Sequence, residues 1–166
     1  ILDHEIDWKK ENLPIVCGKF KVSGASVNLE MSQFSYNVDC QKSTVEPIYE
    51  IYPLKGEIWA MYKNWNCKWK RSDYENYQCQ VVEILSDLHE RDEIIIARLE
   101  EVKGCLTFFY RLQIDGFDVT HPVSQSKMLG FSHRILAFRV PGIGKYDIPE
   151  SSWHLEPNAL PPKRRI

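Results

Sequence analysis

The sequence predicts a mainly β domain built as a small antiparallel barrel or sandwich. Two observations carry this. Four strand-like segments follow one another at short spacing between residues 56 and 115, with polar turns between them. The first 55 residues show little helical periodicity. The length of 166 residues suits one domain, with 43% apolar and 27% charged residues in a globular ratio.

Taken in order, Leu13 to Phe20 reads as an extended lead-in, because Pro14 biases its predecessor away from helix. A Ser/Asn-rich stretch runs to Glu30, and Pro47 and Pro53 bracket the apolar residues Ile48 to Tyr52. Gly56-Glu57-Ile58-Trp59-Ala60-Met61-Tyr62 has strand composition after a turn. Gln78 to Leu85 alternates weakly and is rich in Val and Ile. Glu93 to Leu99, centred on three consecutive Ile, suits a strand buried on both faces. Leu106 to Ile114 is predicted as one strand. Its Leu106, Phe108, Tyr110 and Leu112 face the core, and Thr107, Phe109 and Arg111 face away. A short helical turn is expected at Ser126 to Leu129, a loop at Pro141 to Gly144, and a Pro-punctuated end after Trp153. Phe34-Ser35-Tyr36-Asn37-Val38 echoes Phe131-Ser132-His133-Arg134-Ile135, which implies similar packing roles at the edges of one core. The expected organisation is a single domain over 1–166. An N-terminal elaboration (1–55) packs on a core (56–140), and a C-terminal segment with a basic tail follows (141–166).

Several function classes fall away. The longest apolar runs, such as Ile94 to Ala97, are far below the ~18–20 residues needed to span a bilayer, so no membrane partner is expected. No signal segment opens the chain, and a start at Ile rather than Met reads as a piece of a longer protein. Twenty-one Lys and Arg against 23 Asp and Glu give a net charge of −2, which argues against nucleic acid as the main ligand. Cys17, Cys40, Cys67, Cys79 and Cys105 are odd in number and widely spaced, the pattern of reduced thiols rather than a metal site. No metal and no cofactor is expected. Gly142-Ile143-Gly144 lacks the third glycine and downstream acid of a dinucleotide site. No nucleophile or acid–base constellation emerges, so the chain reads as a non-enzyme.

The aromatic residues are the feature to explain. Trp59, Tyr62, Trp65 and Trp69 fall within eleven residues, followed by Tyr74 and Tyr77. Trp65 and Trp69 sit in a loop that is polar apart from its rings. Either the rings fold back onto the core, or they form a surface recess. A recess of rings suits a methylated ammonium, which has few or no hydrogens to donate and gains ~0.5–2 kcal/mol per ring face. The walls must come from more than one segment. The expected methyl-lysine-binding residues are therefore Trp59, Tyr62, Trp65, Trp69 and Phe109, with Asp73 or Glu75 at the rim.

Gly56-Glu57-Ile58-Trp59-Ala60-Met61-Tyr62-Lys63-Asn64-Trp65 resembles the signature of a plant module of unassigned function found C-terminal to J domains in DnaJ-type proteins. Leu13 to Phe20, the Phe-Ser segments at 34 and 131, Tyr77 to Ile84 and Trp153 to Pro161 match it in order. Tyr36 stands where His is usual, and His154 to Asn158 replaces a more acidic pattern. The resemblance implies a plant source, a nuclear setting, an upstream J domain and no enzyme activity. Residues 56–69 are also similar to the opening of PWWP, other Royal-family and bromo-adjacent-homology chromatin modules, without the flanking Pro residues of PWWP. That likeness implies an SH3-like barrel with flanking loops and short helices, whose first loop carries cage aromatics. The expected function is a nuclear chromatin reader of a methylated lysine on the histone H3 tail. Pro162 to Arg165 would serve as part of a nuclear import signal. The alternative is a co-chaperone adaptor that uses exposed Trp and Tyr as anchors for clients or transcription partners.

Overall fold

A computed structural model describes residues 3–42, 47–88 and 92–162. The chain opens with a helix, α1 (Asp3–Lys10), and then forms β1 (Gly18–Lys21), β2 (Gln41–Lys42) and β3 (Ile48–Ile51). These three strands make a small antiparallel sheet with β3 in the middle. Phe20 lies opposite Tyr49 and Gly18 opposite Ile51, so Phe20 and Ile51 share one face.

The main sheet uses β4 (Ile58–Tyr62), β5 (Cys79–Ile84), β6 (Glu93–Glu101), β7 (Phe108–Arg111), β10 (Thr120–Ser124), β11 (Phe131–Ile135), β12 (Ala137–Val140) and β13 (Ser152–Leu155). A short helix, α2 (Arg71–Glu75), follows β4, and a two-stranded ribbon, β8 (Gln113–Ile114) with β9 (Phe117–Asp118), follows β7. The strand order is β11-β4-β5-β6-β7-β13-β12, with β10 also paired to β6, and the pairings of this sheet are antiparallel. The two ends of this order, β11 and β12, are separated in the chain by Leu136 alone. No ladder joins them among the described residues, so the fold is mainly β with open antiparallel sheets, and a closed barrel is not found.

β4 shows why the sheet has two cores. All five of its residues are buried. Trp59 and Met61 pack with Val82, Ile84, Ile94, Ile96, Val123, Met128 and Phe131. Ile58 and Ala60 pack on the other face with Val81, Leu99, Phe109, Ile135, Trp153 and Leu155. This is the period-two alternation of a strand covered on both faces. Gly56 starts the strand at a left-handed φ of 88°, a conformation that glycine adopts without a Cβ clash.

Three sequence expectations change. The first ten residues include a helix, whose Asp-His-Glu-Ile-Asp-Trp-Lys-Lys sequence shows no apolar stripe. The expected strand over 106–114 is shorter and faces the other way. Leu106 is 67% exposed in a turn, Phe109 is buried, and Phe108 and Tyr110 are half-buried. The cause is Arg111, whose charge marks its face as solvent-facing in the sequence. It lies inward instead, where the buried Glu83 accepts bonds from its Nε at 2.8 Å and its Nη2 at 2.9 Å. The echo segments also diverge in role: Phe131 is buried, whereas Phe34 is exposed. They nevertheless meet, because the Tyr36 hydroxyl donates to the Arg134 carbonyl at 3.3 Å. Lys163 to Arg165 of the expected import signal lie outside the described residues.

Candidate functional site

The five expected cage residues divide among three clusters. Tyr62, Trp65 and Trp69 come together, but around a ring the sequence reading did not include. Trp8, fully buried, projects from α1 into the middle of them. Its centroid lies 6.3 Å from Tyr62, 6.0 Å from Trp65 and 6.2 Å from Trp69. Its indole N–H donates to the Pro14 carbonyl at 2.9 Å, which satisfies its polar edge. Tyr74 and Tyr77 extend the cluster, 5.9 and 5.1 Å from Tyr62. Glu11 ties α1 to the Trp loop by an ion pair with Lys70 at 2.9 Å and by accepting the Arg71 backbone N–H. Trp65 lies against Gly130, at ordinary contact distance from where a Cβ would stand. The space between the loop rings is thus filled. Asp73 caps α2 by accepting the Lys70 N–H, and Glu75 pairs with Arg71 at 3.7 Å.

Trp59 and Phe109 stand elsewhere. Phe109 belongs to the inner core with Trp153 and Leu99. Trp59 lies in the opposite core, edge-on to Phe131 at 5.6 Å. Its indole N–H donates to Glu57 Oε2 at 2.7 Å. This tryptophan forms part of a hollow that the sequence reading missed.

The hollow, of about 300 Å³, lies between the β1–β3 sheet and the face of β4 and β11 that carries Trp59. Its walls include four rings from four segments: Phe20 on β1, Tyr36 in the loop before β2, Tyr52 after β3 and Trp59 on β4. Ile15, Val16 and Ile51 add aliphatic surface. Asp39, Glu57, His133 and Arg134 bring polar groups to it. A β-bulge between Phe131 and His133 inserts Ser132 into β11 and sets Arg134 opposite Trp59, so the two share a face. Arg134 Nη1 stands 3.5 Å from Glu57 Oε1, and its guanidinium lies 5.8 Å from the centre of the Tyr36 ring. Burial raises the Tyr36 phenol above its ordinary range, against the smaller lowering effects of its bond to Arg134 and of that residue's charge. A second hollow of about 350 Å³ shares Tyr36, His133 and Arg134 with the first and continues to Leu136, Ala159 and Leu160.

His133 Nε2 lies 2.6 Å from the Ala159 carbonyl, which requires the proton on Nε2. Nδ1 lies 2.9 Å from the Ser132 hydroxyl, and a carbonyl rather than a carboxylate stands behind the ring. Among the described residues no group of three His, Cys, Asp or Glu side chains is placed to hold a metal ion. All five cysteines are free thiols.

The one signal for this hollow in the sequence was Glu57 placed two residues before Trp59, on the same side of the strand. Phe20, Tyr36 and Tyr52 stand some sixteen residues apart, and nothing local groups them with one another.

No curated protein and no solved structure matches the chain. A family model matches residues 2–143 and takes in the whole hollow. This chain belongs to the family described as a domain of unknown function (DUF3444).

Proposed function

We propose that this domain is a chromatin reader of a plant nuclear DnaJ-type protein and binds a methylated lysine of the histone H3 tail in the hollow walled by Phe20, Tyr36, Tyr52 and Trp59. The observation that carries the reading is the convergence of those four rings with Glu57 and Asp39 around one space of about 300 Å³. A methylated ammonium has few or no hydrogens to donate, so ring faces and a carboxylate bind it better than water-facing amides do, at ~0.5–2 kcal/mol per ring. The site proposed here keeps Trp59 and replaces Tyr62, Trp65, Trp69 and Phe109. The finer fold reading, an SH3-like module of the Royal or bromo-adjacent-homology kind, draws support from the sheet whose two ends are joined through Leu136.

The test is calorimetry with H3 peptides bearing unmodified or trimethylated lysine, against the wild-type chain and Tyr36→Ala. A preference of roughly tenfold for the methylated peptide, lost in the variant, is expected. Equal millimolar binding of both peptides by the wild type overturns the reading.

One observation favours the adaptor reading. Val27, Leu29, Met31 and Phe34 are exposed on a single polar stretch, Val27 at 80% and Met31 at 85%. An adaptor would bind clients or transcription partners there. Met31→Asp would then abolish partner capture while Tyr36→Ala leaves it intact.

A further inference from the structure

Among the described residues, three arginines on strands of the main sheet face carboxylates, and one of them is poorly served. Arg111 gives Nε and Nη2 to Glu83 at 2.8 and 2.9 Å and Nη1 to Asp118 at 2.9 Å. Arg139 reaches Glu83 at 3.0 Å and stacks on Trp153, 4.1 Å from its ring centre. Arg134, by contrast, meets Glu57 at 3.5 Å, the outer limit of a hydrogen bond. Its Nε is buried with no hydrogen-bond partner among the described residues. A buried N–H without an acceptor costs stability, and in a native structure it calls for an explanation.

The position of the guanidinium supplies one. It lies over Tyr36 and opposite Glu57 Oε1, inside the aromatic hollow. Glu57 Oε2 is already held, by the Trp59 indole at 2.7 Å and the Leu54 backbone N–H at 3.1 Å. The carboxylate is therefore fixed, and Oε1 faces the space that Arg134 fills. A cation with N–H donors leaves one of them unpaired here. A quaternary ammonium has none to leave unpaired, and it gains the same ring face and the same carboxylate. The Arg134 side chain is 25% exposed, so its head has a path to water, where Nε regains a partner.

We infer that Arg134 occupies the ligand's cation position in the free domain and yields it on binding, which makes it the residue that sets affinity. The inference rests on the reading of the hollow as a methyl-lysine site, and it deepens that reading.

The experiment compares the wild-type chain with Arg134→Met, which keeps the length and apolar stem and removes the charge and the donors. The probes are tetramethylammonium chloride and a trimethyl-lysine H3 peptide, each titrated by calorimetry. Arg134→Met is expected to bind both roughly fivefold tighter, because no resident cation must leave. In wild type, the Arg134 Nε–H signal in a nitrogen–proton spectrum should shift or broaden as tetramethylammonium is added. Equal or weaker binding by a natively folded Arg134→Met, with selective peptide binding by wild type, overturns the inference and leaves the methyl-lysine reading intact. Binding of tetramethylammonium by Arg134→Met without selective peptide binding by wild type supports the inference and overturns the histone reading. No binding of either probe by either protein overturns both. If Arg134→Met does not fold, an Nε–H signal unmoved by saturating tetramethylammonium overturns the inference by itself.

Discussion

Two groups of rings sit on opposite sides of β4's neighbourhood and do opposite things. Around Trp8, the rings of Tyr62, Trp65 and Trp69 lie 6.0–6.3 Å from the central indole, a packed arrangement. Around Trp59, the rings of Phe20, Tyr36 and Tyr52 wall a space of about 300 Å³. The compositions are alike, so composition does not decide between core and cage. The deciding factor is whether a distant segment supplies a filler. Helix α1 delivers Trp8 to the first group, whereas the small β1–β3 sheet brings further walls to the second. A polar loop rich in tryptophan is thus a lid over an N-terminal helix, and the hollow forms where three single aromatics from the elaboration meet the core.

The largest expected effect comes from removing the filler. Trp8→Ala should cost about 3–5 kcal/mol, the usual range for a buried Trp truncated to Ala. Urea denaturation of wild type and variant measures it. A loss under about 1 kcal/mol would mean that the first group is not a core and would break the comparison. Trp69→Ala, half-buried, should cost less, about 1–3 kcal/mol. Calorimetry on the folded variant should find trimethyl-lysine binding unchanged. Loss of that binding would return the cage to the loop. Tyr36→Ala should reverse the pattern, costing about 1 kcal/mol of stability while methyl-lysine selectivity disappears. Paired melts and titrations on the two variants therefore separate a structural ring from a binding one.

The sequence made β4, β5 and β6 legible, because Val, Ile and aromatic runs between polar turns need no distant partner to be recognised. Helix α1 was not legible. Ile6 and Trp8 are too few apolar residues in that helix to mark a face, and Ile6 is exposed. The rings that surround Trp8 come from residues more than fifty positions away. The inward side of β7 was misread for a related reason. Arg111 is a marker of solvent in a sequence, and only the fold reveals Glu83 waiting inside with Arg139 and the Trp153 indole around it. For the site, Trp59 was singled out in the sequence, but its acid was sought at Asp73 or Glu75 rather than at Glu57, which accepts its indole N–H. Phe20, Tyr36 and Tyr52 were not, since the pairing of one small sheet and the bond from Tyr36 to the Arg134 carbonyl bring them to the same hollow.

The smallest expected effect is a pH dependence that also divides the two groups. In the packed cluster, burial raises the phenols of Tyr62 and Tyr77 and pushes the Cys79 thiol from 9.0 up to about 11. Each group is raised in the folded chain, so each favours folding in its neutral form. That contribution is complete below the unfolded value and is lost as pH rises through the folded one. Cys79 therefore acts between pH 9.0 and about 11, and the tyrosines begin to act from 10.0, overlapping the upper part of that window. The thiol is partly exposed and solvent screens it, so its share is about 1 kcal/mol or less. Melting temperature should hold steady from pH 7 to 9 and then decline. Cys79→Ala should flatten the first part of that decline and leave the rest. The hollow contributes Tyr36 to the same titration, where the bond to Arg134 and its charge oppose the effect of burial. Tyr36→Phe should therefore change the alkaline slope less than Tyr62→Phe does. An equal change would place the two phenols in equivalent surroundings, and the distinction between a filled cluster and a walled hollow would lose its electrostatic support.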